Sequence, residues 1–400
     1  MIIKKYARPM LLIVTAIQAV SALVWLIMTL PDLQLFSMSA NYRAAMETLV
    51  TDDYMDWFYA LTLWIVSHVF GSGNAFSVAL TLIQFAMLAA SIYFFISTLV
   101  KDWWMRCCLT VYIVSLPVVV SAANTLLPGA FRTAVITTVM GVIIRIAKSD
   151  FSRGIRTIRI FGCLSVLFLL SIVSDSQGKP NAYGWGDKTR EVYMMQRFAW
   201  PHFSEIDIAT EMIAETDAEG ARATDMYYLT PERIFTDFVP ALENRYTKDR
   251  AGDIVRAIAD RGFMCFKREI ATESLWDFAS YAFAPYTILA NLSGRGFSYT
   301  GVNYGEFTKH TGIFGVVYFR LSMYLFVAWT LIAIANLFNK PHFNKTGMRM
   351  FAVIAILASA YYSFAGVRGF DYKNVLFVMI AWVLAVMLPV IEQKGERQWP

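Results

Sequence analysis

Charge is scarce in this chain. Only 16% of its 400 residues are Asp, Glu, Lys or Arg, against about 25% in an ordinary soluble domain. The formal net charge is only +5 and no basic tract concentrates it, which argues against nucleic acid as a partner. Cysteine is scarce too. Cys107, Cys108 and Cys163 sit in or beside apolar runs. Cys265 stands alone in a polar segment, so that segment cannot close an internal disulfide. No CxxC and no Cys/His cluster occurs, so a structural zinc site is not expected. There are only 4 histidines, too few for a metal-rich catalytic centre. His68, His202 and His310 have no partner at ligand spacing, and no GxSxG elbow supports a serine hydrolase. Internal repeats and low-complexity stretches are also missing.

Apolar residues are abundant, at 57%, and they cluster. Runs of about 17–25 residues are long enough to cross a bilayer core of about 30 Å as helix. The runs fall at 9–30, 75–100, 107–123, 131–147, 159–175, 312–338, 348–366 and 374–391. They predict an all-α polytopic membrane protein with about eight transmembrane helices. The N-terminal run from Met10 to Leu30 follows Lys4, Lys5 and Arg8. It exceeds the usual signal-peptide core of about 7–15 residues, so an uncleaved span is expected despite SMSA at 37–40.

The placement of the cations orients these spans. With the N-terminus cytoplasmic, five inside segments carry the basic groups: Lys4, Lys5 and Arg8; Lys101 and Arg106; Lys148, Arg153, Arg156 and Arg159; Lys340, Lys345 and Arg349; Lys394 and Arg397. That is a positive-inside pattern with both termini in the cytoplasm. The outside segments are then 31–74, 124–130, 176–311 and 367–373. The division expected is an N-terminal membrane region at 1–175, an extracytoplasmic domain at 176–311, a C-terminal membrane region at 312–391 and a cytoplasmic tail at 392–400. The run WFYALTLWIVSHVF, 57–70, is too short to span. Counting it as a span would turn the basic loops outward, so it is expected at the interface or half inserted.

The 176–311 segment has near-ordinary soluble composition and reads as mostly helical. Ile206, Ala209, Ile213 and Ala214 recur at helical spacing within 203–218. Thr230 precedes Pro231 as an N-cap would. Thr247 or Asp249 caps a helix expected to end at Gly262. A further amphipathic run covers 266–284, and Gly294–Gly305 reads as irregular.

Two groups of side chains could carry chemistry. TDDYMDW, 51–57, puts Asp52, Asp53 and Asp56 just ahead of an apolar helix. A carboxylate beside low-dielectric surroundings can serve as a general base. The plainer alternatives are a solvated loop or an N-cap. The second group is basic and expected outside: Arg132, Arg197, Arg295, Lys309, Arg320, Arg368 and Lys373. Arg320 lies about two turns inside an apolar run, where charge is costly and often functional. Arginine suits a phosphate, although snorkelling to headgroups explains single residues equally well. Trp57, Trp185, Trp200 and Trp276 could stack on a sugar, anchor at the interface or fill a core.

The layout resembles the C-type superfamily of glycosyltransferases (GT-C), above all the members that use polyprenyl-phosphate-linked sugars. In that family an acidic motif opens the long first external loop, interfacial helices follow, and a second span comes after them. TDDYMDW at 51–57 is similar to the acidic motif, and HVFGSGNAFSV at 68–78 to the entry into the second span. LPVVVSAANTLLPGAFRTAV at 116–135 resembles the third-to-fourth span turn. VRGFDYKNVLF at 367–377 is similar to the late Arg-Tyr element. The chain departs from the family at 58–63, where FYALTL replaces a frequent Pro-Pro, and has Arg-Gly-Phe for Arg-Tyr.

The resemblance implies a sugar transfer from a polyprenyl-phosphate donor to an envelope glycan, lipid or protein acceptor. It implies Asp53 or Asp52 as base, or as the holder of a divalent cation (Mg or Mn). Arg368 and Lys373, helped by Arg197 or Arg295, would contact the lipid phosphate. No soluble nucleotide-sugar domain is then needed. Three other classes remain open. They are an O-antigen polymerase- or ligase-like enzyme, a transporter or flippase, and a non-catalytic membrane scaffold. A bacterial plasma membrane is the expected setting.

Overall fold

The computed structural model describes residues 2–30, 32–34, 43, 46–47, 49, 57–126, 128–149, 152, 154–155, 157–163, 195, 198–199, 205–216, 238–284, 307–339, 345–364 and 372–391. These residues are mostly helical and form no strand; Gln34 and Thr125 make an isolated parallel bridge. Contacts divide the chain into two compact units. One comprises Met1–Gly178, Ser280–Ser359 and Asp371–Pro400; the other comprises Lys179–Ala279 and Ala360–Phe370.

The first unit begins with α1 (Ile2–Thr29), α2 (Trp57–Phe70), α3 (Asn74–Leu99), α4 (Trp103–Val114), α5 (Pro117–Ala123) and α6 (Gly129–Ala147). Later elements are α11 (Ile313–Asn339), α12 (Lys345–Phe364) and α13 (Tyr372–Ile391). Among the described residues, four stretches are long and apolar enough to cross a membrane: Pro9–Thr29, Asn74–Leu99, Gly129–Ala147 and Ile313–Ala335. The pair α4 and α5 makes a fifth if its 69° bend is counted within one span. The expected run at 107–123 is therefore not one straight helix. Met348–Tyr361 and Leu376–Met387 are shorter apolar stretches, and most of the expected span at 159–175 lies outside the described residues.

The short run at 57–70 forms α2, 14 residues long. Tyr59, Ala60, Leu63 and Val66 bury one face of it against Phe76 and Leu80 of α3 and against Leu126. Ile65, Val69 and Phe70 remain exposed. The reversal into α3 runs through Gly71, whose φ of +77° lies in the left-handed region that favours glycine after a helix end.

Among the described residues, α3 and α6 pack together most extensively. Ala130, Thr133, Ala134, Thr137 and Gly141 line the buried side of α6. Small residues of this kind let helix backbones approach inside a membrane. At Gly141 an added Cβ would lie 2.7 Å from the Phe94 ring. Cations gather at the far end of this pair. Arg145 sits over Phe94 at 4.7 Å, and Lys148 Nζ donates to the Thr98 carbonyl at 2.6 Å. Arg106 donates to the Val100 and Lys101 carbonyls. Basic side chains here satisfy carbonyls that a helix end leaves open.

The second unit is built on α7 (Asp207–Thr216), α8 (Val239–Arg245) and α9 (Lys248–Cys265), with α10 (Lys267–Ala282) following. Thr247 is the N-cap of α9, accepting from the Arg250 N–H. Ile206 and Ala209 are buried as their spacing predicts, where α7 packs on α9 and its buried stripe of Ala251, Val255, Ile258 and Ala259. The 230–231 cap and the 294–305 stretch lie outside the described residues. Gly262 does not end its helix, which continues to Cys265. It extends the buried stripe by one turn, because a Cβ there would lie 2.6 Å from the Phe198 carbonyl oxygen and 2.7 Å from Ala199 Cα.

That close approach gives a signed prediction. Glycine to alanine in an exposed helix gains about 1 kcal/mol, while overpacking against fixed atoms costs about 1–3 kcal/mol. The obstructing atoms here are backbone, so the cost wins. Gly262→Ala should destabilise the second unit and speed its digestion by trypsin in the detergent-solubilised protein.

Candidate functional site

The described residues that converge most tightly lie around α5. Its origin is local. Pro117 has no N–H and pushes Leu116 out of helical geometry, to φ −70° and ψ 141°. In a continuous helix the Val119 N–H would bond to the Ser115 carbonyl. Here Val119 donates to the Leu116 carbonyl instead, at 2.9 Å. Ser115 is buried, so its carbonyl needs other donors.

Two helices supply them. Gln18 of α1 donates from Nε2 to the Ser115 carbonyl at 3.0 Å, and Tyr318 of α11 donates its hydroxyl to the same oxygen. Gln18 Nε2 also donates to Ser322 Oγ, which in turn donates to the Tyr318 carbonyl at 2.9 Å. Gln18, Tyr318 and Ser322 are all at most 1% exposed. A helix end in hydrocarbon must be satisfied in this way or cost several kcal/mol.

The other end of α5 is treated alike. Gln34, on the connector after α1, makes a backbone bond from its N–H to the Asn124 carbonyl at 3.0 Å. Its Oε1 accepts from Ser121 at 2.9 Å. From α3, Thr81 donates to Asn124 Oδ1 at 3.2 Å, and Gln84 Nε2 donates to the Thr125 carbonyl at 2.9 Å. Nearby, Trp25 near the end of α1 stacks on Phe307 with centroids 4.6 Å apart, and its Nε1–H donates to the Phe307 carbonyl at 3.0 Å. His310 Nδ1 lies 3.8 Å from Asp32 Oδ2, but both are substantially exposed, so that pair adds little.

Apart from the exposed Asp32–His310 pair, the hydrogen-bonded side chains around α5 are neutral amides and hydroxyls, which can bind hydroxyls or fix helices. The candidate bases Asp52, Asp53 and Asp56 lie outside the described residues, as do Arg197, Trp200, Arg295 and Arg368. Trp57 opens α2 and Lys373 lies in the first turn of α13, but their side chains are not among those described. Arg132 is exposed on the first turn of α6, and Arg320 is exposed on α11. The residues that would hold a divalent cation, Asp52 and Asp53, are likewise beyond what the structure describes. A shallow apolar groove runs between α3, α6, α12 and α13, lined by Phe95, Met140, Phe351 and Leu384.

Sequence reading misses Gln18, Gln34, Gln84, Asn124 and Tyr318 as members of a site. The signal is present. Gln18 and Gln84 are carboxamides inside otherwise apolar runs, and Pro117 breaks a third run. Comparison with family models, curated proteins and solved structures finds no match. The fold therefore defines a class only: a helical protein with four helices, or five with the bent pair, that could span a membrane.

The Trp25 contact separates stacking from hydrogen bonding. Trp25→Phe keeps the ring but removes the donor, and should cost about 1 kcal/mol. Trp25→Ala empties a fully buried site and should cost about 3–5 kcal/mol. Thermal unfolding of the purified protein in detergent checks both.

Proposed function

We infer that the chain is a multi-pass plasma-membrane glycosyltransferase of bacterial type. It has eight spans with both termini cytoplasmic, and it moves a sugar from a polyprenyl-phosphate donor to an envelope glycan, lipid or protein acceptor outside. The observation that carries this reading is α2. A short apolar helix follows the TDDYMDW motif directly and folds back on the next long helix. That is the order of parts the GT-C resemblance calls for: acidic motif, interfacial helix, second span. The cations gathered where α3 ends and α6 ends support a cytoplasmic side there, and so an extracytoplasmic side for α2.

In this reading Asp53, or Asp52, takes the proton of an acceptor hydroxyl. The acceptor oxygen then bonds to the anomeric carbon as the bond from that carbon to the phosphate oxygen breaks. Polyprenyl phosphate leaves with the bonding electrons, and its charge is met by Arg368 and Lys373 with Arg197 or Arg295. The 176–311 segment binds the acceptor in this reading.

A transporter is the second reading, favoured by the 69° break between α4 and α5. Broken helices mark binding sites in transporters, although there they come as pairs in matching halves. Purified protein incubated with polyprenyl-phosphate sugars decides between the two. Loss of sugar from the lipid that disappears in the Asp52→Asn, Asp53→Asn variant is expected, by at least about 100-fold for loss of a general base. Folded protein that turns over no donor would favour the transporter.

A further inference from the structure

We propose that Gln34, Gln84 and Asn124 form a neutral carboxamide subsite that takes the hydroxyl groups of a sugar. Where that sugar comes from rests on the glycosyl-transfer reading; the chemistry of the subsite does not. The three side chains are 4%, 1% and 0% exposed. Each has one amide atom engaged and one without a hydrogen-bond partner. The open atoms are Gln34 Nε2, Gln84 Oε1 and Asn124 Nδ2. The engaged atoms tie the three into one network through Ser121, Thr125 and Thr81.

The open atoms define what fits. Two are donors, which repel a metal ion. One is an acceptor with lone pairs, which repels a phosphate or carboxylate oxygen. A hydroxyl donates once and accepts twice, so neighbouring hydroxyls answer all three. Exchanging N and O in Gln34 or Asn124 still leaves one open atom each, because both face a hydroxyl, whereas Gln84 is fixed by the Thr125 carbonyl its Nε2 donates to. Buried polar atoms are normally paired, so three open ones in a single network stand out. A site of this kind also rejects a ligand that lacks the hydroxyls, because its polar groups then stay unpaired.

The walls differ in how firmly they are held. Gln84 and Thr81 sit within the long helix α3, and Asn124 caps α5. Gln34 sits on the connector after α1, two residues from the exposed Asp32, and is held by one backbone bond and by Ser121.

The test is the thermal unfolding midpoint of the full chain in detergent, followed by tryptophan fluorescence. The probes are methyl glycosides of the common hexoses, with tetrahydropyran as a ring that carries no hydroxyl. At least one glycoside should raise the midpoint saturably, and tetrahydropyran should not. Gln84→Met and Asn124→Leu should each weaken that glycoside at least tenfold. Gln34→Ser, on the connector, should do the same and supplies the answer if the helix variants do not fold. No stabilisation by any glycoside, as expected if the amides hold only water, would overturn the proposal. So would a saturable shift that all three variants keep. Turnover of a lipid-linked sugar, measured alongside, separates the two ideas. Turnover without glycoside binding leaves the enzyme and removes the subsite. Glycoside binding without turnover leaves the subsite and removes the enzyme.

Discussion

The membrane unit depends on one peptide carbonyl. Pro117 forces a break between α4 and α5, and the break strands the Ser115 oxygen in a buried place. Gln18 and Tyr318 reach it from helices far apart in sequence. A single hydrogen bond between membrane helices is worth little, about 0.6 kcal/mol on average. A stranded carbonyl costs several kcal/mol. The asymmetry means that α1, α4 and α11 are held together less by what the bonds add than by what their loss would expose.

The consequences run outward from that point. With its first end fixed, α5 carries Ser121 and Asn124 to the connector after α1 and to α3. The same end of the bundle receives α2, which packs on α3 beside Leu126. The acidic motif runs directly into α2 in the sequence. The cations Arg106, Arg145 and Lys148 gather at the other end of α3 and α6.

Much of this fold is legible in the sequence because lipid demands a coarse signal. Long apolar runs at 75–100 and 312–338 form α3 and α11 almost residue for residue, and the run at 9–30 forms the apolar part of α1, which begins earlier, at Ile2. The brevity of 57–70 is legible for the same reason. The bend at 115–117 is signalled by Pro117 alone, because the apolar residues on both sides carry the run's hydropathy straight through it. Gly262 looks like a stop by residue type, whereas its role is set by the backbone at 198–199, which local pattern cannot reveal. The carboxamides carry no charge, so they do not stand out in an apolar run as Arg320 does. In a buried site, neutral amides give specificity without the cost of burying an ion. The carboxylates of 51–57 are legible as a motif; their geometry is outside the described residues.

The Ser115 carbonyl, held jointly from α1 and α11, is the point to perturb. A double-mutant cycle on Gln18→Leu and Tyr318→Phe, read by unfolding of the purified protein in detergent, does so most directly. Each single change leaves one donor in place and should cost about 1 kcal/mol. The double change leaves the oxygen bare, so its cost should exceed the sum of the singles by about 1 kcal/mol or more. Strict additivity, or two singles without effect, would mean that the carbonyl is not what joins these helices.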